Sequence, residues 1–459
     1  MQILFLILGL YLTNSQALRI TIPGIRIMNK LICLLVICFV LASCKKEKEY
    51  VVNPPKGSED LKIDQVINDS TLVFKWGKFT GNNFKSYILK RKATYIKNGI
   101  INTYEETIDS SVNINHMGFT ENQMPYTRDL TYSLYAIYRG QNVLDTVYGL
   151  GSTFYHRPNA LLTGAPSDAL IDKQNKRLYI ITNGKKVTIV NYDSRQVVSK
   201  EFPVTIGYCA LGDFNGSDEL YVPVNDGTLQ ILDAGSLQLK DKIYVGGTVI
   251  GSVAAYNQKL YVASSNTTEP PHSNNIKVYD RATKNIVGSA GNGSNSRLLP
   301  LDGTSFELVD LTAGFTTKSL NYHKFSADGV LISETNNRSY FNSQLDASVM
   351  RSFPDGSKII TSYYGSIYDK SLSLLGTLKG GAYFDFAFNS DGSVIYAANT
   401  NPQKIDVIGY PALTVTRSYA VTARPFSIFR DGNILVCVST YSQYSNNDYN
   451  YIIIEKINL

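Results

Sequence analysis

Three groups of residues in this chain have the types and spacing for chemistry. Asp213, Asn215 and Ser217 alternate through GDFNGSDE (212–219), and side-chain oxygens at alternate positions are the arrangement that wraps a hard cation such as Ca²⁺. Cys44 stands where an apolar run gives way to the charged KKEKEY, a place where a thiol can be modified. His116, His156, His272 and His323 fall in separate segments with no HxxxH or HExxH spacing, so no metal or nucleophilic site built on histidine is expected.

Of the first two groups, Cys44 is the stronger. The run LICLLVICFVLA from Leu31 to Ala42 is twelve apolar residues, against about 20 for a helix that crosses a bilayer, and it follows Lys30, so it reads as the core of a signal peptide. Leu41-Ala42-Ser43-Cys44 resembles the lipobox of bacterial lipoproteins. The resemblance implies that residues 1–43 are removed, that Cys44 carries a diacylglyceryl group, and that residues 44–57 are a lipidated linker. Met28-Asn29-Lys30 is the expected true start, because residues 1–27 add a second apolar run. At about 0.8 kcal/mol per buried CH₂, two or three acyl chains hold a protein to a membrane durably. The expected location is therefore the cell envelope, and Lys45 in place of aspartate after the cysteine points to the outer membrane, facing the periplasm or the surface.

The oxygen-rich stretch resembles the calcium loop of FG-GAP repeats but departs at Ser217 and lacks the closing Gly and Asp. It occurs once, where the neighbouring repeats carry plain turns, so a turn without metal is expected. Asp69-Ser70-Thr71 and Asp145-Thr146-Val147 match a three-residue acceptor pattern of bacterial O-glycosylation. Removing the three basic residues of the leader takes the net charge from +6 to +3, which leaves no nucleic-acid footprint. Cys209 and Cys437 lie in apolar stretches and read as buried free thiols.

The elements that position these residues read as strands throughout. With 32 tyrosines and only 18 % charged residues, the composition favours half-buried pleated surface and an all-β protein. Residues 58–155 hold LVFKW, SYILKR and LTYSLYAIY between turn-forming clusters, the pattern of a small sandwich. Trp76, Tyr87, Leu89, Tyr132, Leu134 and Ala136 resemble the buried positions of a fibronectin type III domain. Residues 156–459 repeat a strand, a tight turn and a second apolar strand, with copies beginning near Lys173, Phe214, Tyr256, Leu301, Phe325, Phe353, Phe388 and Phe429. Asp193, Asp233, Asp280, Asp310 and Asp369 are expected to open the turns after the third strands. A period near 40 residues and the LYV and F-S-x-D-G signatures resemble YVTN and WD40-like β-propellers, which implies seven or eight four-stranded blades.

For function, this reading leads to a lipid-anchored binding protein whose propeller face contacts a glycan, a protein or another envelope component. The loops Asn266–Asn275 and Ser442–Asn450, with Tyr363, Tyr364, Tyr383, Tyr441, Tyr444, Tyr449 and Tyr451, are candidates for contact, although tyrosine is also a good sheet residue. Two other classes compete with it. One is a propeller enzyme of glycosidase, lyase or quinoprotein type, and the other is a scaffold for envelope assembly. Quinoprotein propellers stack their cofactor on tryptophan, and the single Trp76 lies outside the repeats, so no cofactor and no catalytic residues are expected.

Overall fold

From Leu72 to Trp76 every second side chain is large and apolar, which a strand turns toward one face: Leu72, Phe74 and Trp76 are buried, whereas Val73 is half-buried and Lys75 exposed. In the computed structural model this segment joins Lys62–Asn68 and Gly118–Glu121 in a three-stranded antiparallel sheet. Ile100–Ser111, Phe84–Lys97, Asp129–Arg139 and Asp145–His156 form a four-stranded sheet in that order. The two sheets share one core, into which Trp76, Tyr87, Leu89, Tyr132, Leu134 and Ala136 all point. At its rim the Arg91 guanidinium pairs with Glu106 and Glu121, and the Tyr132 hydroxyl donates to Glu121 at 2.7 Å.

The structure describes residues 60–459 apart from 69–70, 98–99, 123, 140–144, 158–160, 247–248, 266–273, 292–294, 313–317 and 339–344. The leader, Cys44, the linker, Asp69-Ser70, His272 and most of the loop Asn266–Asn275 therefore lie outside the described residues. Among the described residues there is no helix.

After the sandwich come seven four-stranded antiparallel sheets, spanning 166–201, 210–244, 249–290, 296–338, 350–377, 383–420 and 424–458. Six use four consecutive strands. The seventh takes three strands from its own span and completes itself with Leu162–Thr163, which pairs with Ile452 and Tyr451. Burial falls from the second strand outward: Leu178 to Thr182 are all buried, whereas Val197 to Glu201 are mostly exposed. The second strand is covered on both faces because each sheet packs against a neighbour on either side. Seven apolar clusters fill the gaps between consecutive sheets, and one of them joins Leu178, Ile180 and Tyr192 of the first sheet to Val436, Val438 and Ile452 of the seventh. The sheets thus close on themselves, an all-β, propeller-like arrangement.

Two sequence expectations need correction. Seven of the eight repeat copies form the turn between the first and second strands of a sheet. The copy at Phe325 instead joins the third and fourth strands of the fourth sheet, Ser319–Phe325 and Leu331–Arg338. For the same reason Asp310 opens no turn. It lies fully buried in the second strand Glu307–Thr312, where it accepts from Asn321 and lies 2.5 Å from His323 Nε2. Asp233, Asp280 and Asp369 do cap their turns, accepting the backbone N–H groups of Ser236, Thr283 and Ser373. In the first sheet that role falls to Asn191, and Asp193 two residues later instead accepts from Lys456 of the seventh sheet.

Candidate functional site

The oxygen-rich stretch is a hairpin. Asp213 ends the strand Ala210–Phe214, and Asn215 and Gly216, with φ of 53° and 76°, make the two-residue turn into Ser217–Val224. Two of the three residues already have protein donors: Asp213 accepts from the Gly216 N–H, and Ser217 from Lys240. Among the described residues no group of three His, Cys, Asp or Glu side chains comes together as a metal site would require. His116 lies against Trp76 and Asp109, His156 against Asp129, and His323 is buried with Asp310, three separate places.

Where the innermost strands converge, charges far apart along the chain are brought together. Asp168, Arg297, Arg351 and Asp385 sit on the first strands of the first, fourth, fifth and sixth sheets. Arg297 stacks 4.2 Å from the Tyr208 ring, donates to the carbonyls of Ala347 and Ser348, and reaches Asp168 at 3.3 Å. The first and fourth sheets are not neighbours in the ring, so this ion pair spans its middle. Arg351 donates to Asp385 at 2.8 Å, and Asp385 also accepts from the Ser427 hydroxyl and the Ile428 N–H. Burial pushes the Asp168 carboxyl above the usual range against the pull of Arg297 and Arg351. Burial opposes the charge on Arg351 too, but Asp385, with Asp168 and Asp302 behind it, more than offsets this and raises its pKa. Asp168 and Asp385 are each engaged by an arginine, Asp168 through one oxygen only.

One cavity that could take a ligand lies at one end of the ring, between the sandwich and the fifth to seventh sheets; another, of about 720 Å³, lies on the sandwich beside Trp76 and Phe119. The first is a cleft of about 910 Å³, within the usual size of small-molecule sites. Each wall comes from the end of a strand. Tyr363 sits in the turn between Lys358–Thr361 and Ser366–Asp369, Asn401 in that between Val394–Thr400 and Gln403–Gly409, and Gln403 opens the latter strand. Phe384 and Arg424 are at the starts of the inner strands Tyr383–Phe388 and Arg424–Asp431. Tyr441, Gln443 and Tyr444 come from the long loop before Tyr451–Asn458, and Ile96 closes the cleft from the sandwich.

Tyr363 and Phe384 meet edge to face at 4.9 Å, both half-buried, so each keeps ring surface open to the cleft. Burial raises the Tyr363 hydroxyl's pKa, helped by Asp346 and Tyr444 and opposed by Gln443. The Tyr441 hydroxyl is pushed up to about 12 by burial, against a hydrogen bond with the Tyr126 backbone. The joint that places the sandwich here is built from Tyr126 and Tyr451, whose rings meet at 5.8 Å, and from the Tyr451 hydroxyl, which accepts the Arg128 N–H at 3.2 Å. Arg157, buried, stacks on Tyr126 and donates to the carbonyls of Thr127 and Pro125. Of the tyrosines singled out from sequence, Tyr383 and Tyr451 are core, Tyr364 and Tyr449 are exposed away from the cleft lining, and Tyr363, Tyr441 and Tyr444 line it. Arg424, Phe384, Asn401 and Gln403 carry no local signal in the sequence, because only the convergence of separate strand ends makes them neighbours.

No protein-family model matches this chain, and no curated protein sequence does. Among solved structures it is similar to the Kuenenia stuttgartiensis hydrazine synthase, at 15 % identity and a TM-score of 0.48, covering 66 % of this chain and 99 % of that one. The likeness is too slight to carry a functional argument.

Proposed function

We propose that this chain is a lipid-anchored binding protein of the cell envelope, with a fibronectin type III-like sandwich and a seven-bladed β-propeller that together hold a saccharide in the cleft. The observation that carries the reading is the lining of that cleft. Aromatic faces at Tyr363, Phe384, Tyr441 and Tyr444 offer flat surface for the C–H faces of sugar rings, and the amides of Asn401, Gln403 and Gln443 supply both donors and acceptors for hydroxyls. Anchoring at Cys44, expected in the outer membrane, rests on the LASC pattern and the linker that follows. The seven inter-sheet clusters and the shared closing sheet support a single ring of seven blades, and the buried Trp76, Tyr87 and Tyr132 support the type III reading of the sandwich.

A glycan array probed with the compact unit Gly57–Leu459 tests the function. Binding to a defined saccharide class is expected, weakened about tenfold in Tyr363→Ala and in Phe384→Ala, each of which removes stacking surface. An array without any hit, from protein whose thermal unfolding is cooperative, would exclude the saccharide.

A further inference from the structure

Arg424 gives the cleft a chemical bias that its aromatic and amide residues do not. The arginines Arg91, Arg281, Arg297 and Arg351 each have a carboxylate, and Arg157 has backbone carbonyls. Arg424 lines the cleft with its Nε buried and without a hydrogen-bond partner, and among the described residues no carboxylate forms an ion pair with it. The Nε of Arg430 is also unpartnered, but it lies toward the far end of the same strand, outside the cleft lining. The Nε is closed to solvent, so a ligand in the cleft would be met by the terminal nitrogens of this half-buried guanidinium, whose charge no carboxylate of the described residues pairs. The lining contains no aspartate, glutamate or lysine, so Arg424 is the one charged side chain in it, while Asp346, Glu455 and Arg157 lie behind the lining and act on Tyr363 and Tyr441. A guanidinium presents parallel N–H donors in a plane, the geometry that a carboxylate accepts with both oxygens.

We infer that the saccharide is acidic: a uronate residue seats its carboxylate on Arg424 while its ring lies against Tyr363 and Phe384 and its hydroxyls meet Asn401, Gln403 and Gln443. This inference rests on the saccharide reading of the cleft and adds the charge of the ligand to it.

The test is calorimetric titration of the Gly57–Leu459 unit with short uronate oligosaccharides and with the same oligosaccharides after their carboxyls are reduced to alcohols. The expected result is affinity for the uronate at least about tenfold above that for the reduced form, a ratio that shrinks as salt is raised. Arg424→Gln brings the ratio to about one, while Arg424→Lys, which keeps the charge without the fork, retains part of it. Equal affinity of the native protein for both forms overturns the acidic ligand and leaves the saccharide reading standing. Discrimination that persists undiminished in Arg424→Gln removes the role of Arg424. Failure to bind either form, together with a blank neutral-glycan array, overturns the saccharide reading itself.

Discussion

At the scale of single residues, burial decides behaviour more often than residue type does. Asp385 is buried and holds the Arg351 guanidinium, so Asp385→Ala strands a positive charge that keeps only 21 % of its side-chain surface in solvent. The loss should be about 3 kcal/mol, read as a lower urea midpoint with an unchanged slope. Cys209 and Cys437 are buried, and burial raises both thiols, that of Cys437 to about 12. At pH 8 neither should react with a thiol reagent in the native protein, and both should react once urea unfolds it. Asp280 goes the other way. The Thr283 backbone N–H, then Lys259, holds its carboxyl at about 2. A depressed carboxyl stabilises the fold above its unfolded value and loses that contribution as pH falls through the folded one. The advantage of the native protein over Asp280→Asn, present at pH 7, should therefore close between about pH 4 and about pH 2 in urea titrations.

At the scale of strands and turns, the closing sheet is where the architecture is most exposed to a single change. Asn450, fully buried, donates to the Gly164 carbonyl at 3.0 Å and accepts from Thr440 and from the Ser442 N–H. Asn450→Ala leaves several of these groups unpaired next to the Leu162–Thr163 pairing, and should cost about 2 kcal/mol in urea unfolding. How legible the elements were depends on where their information lies. The second strands could be read from Leu178, Leu220, Leu260, Ile395 and Leu435, because apolar side chains buried on both faces recur with the repeat. Phe325 misled because its S-x-D-G turn has the same local chemistry whichever pair of strands it connects. Asp310 misled with it, since moving a strand one place along its sheet turns an apparent cap into a buried partner of His323. The cleft was half legible: Tyr363, Tyr441 and Tyr444 stood out by type, whereas Arg424 and Phe384 matter only because strand starts from different sheets converge.

At the scale of the whole molecule, the proposed anchor and the cleft lie in different stretches of chain. Cys44→Ser should abolish incorporation of labelled fatty acid and free the protein from the membrane fraction, while leaving saccharide affinity of the purified protein unchanged. The cleft, by contrast, draws on the full length of the folded unit. Ile96 precedes Tyr444 by the whole course of the ring, and the loop holding Tyr441 and Tyr444 leads directly into Tyr451 and Ile452, which pair back to Thr163 and Leu162. A nascent chain, or one cut short before that pairing, has no partial version of the site to offer. Whatever the cleft binds, binding should therefore report on the complete fold: a fragment that ends before Arg424 lacks Tyr441, Gln443 and Tyr444 as well, and should show no residual affinity.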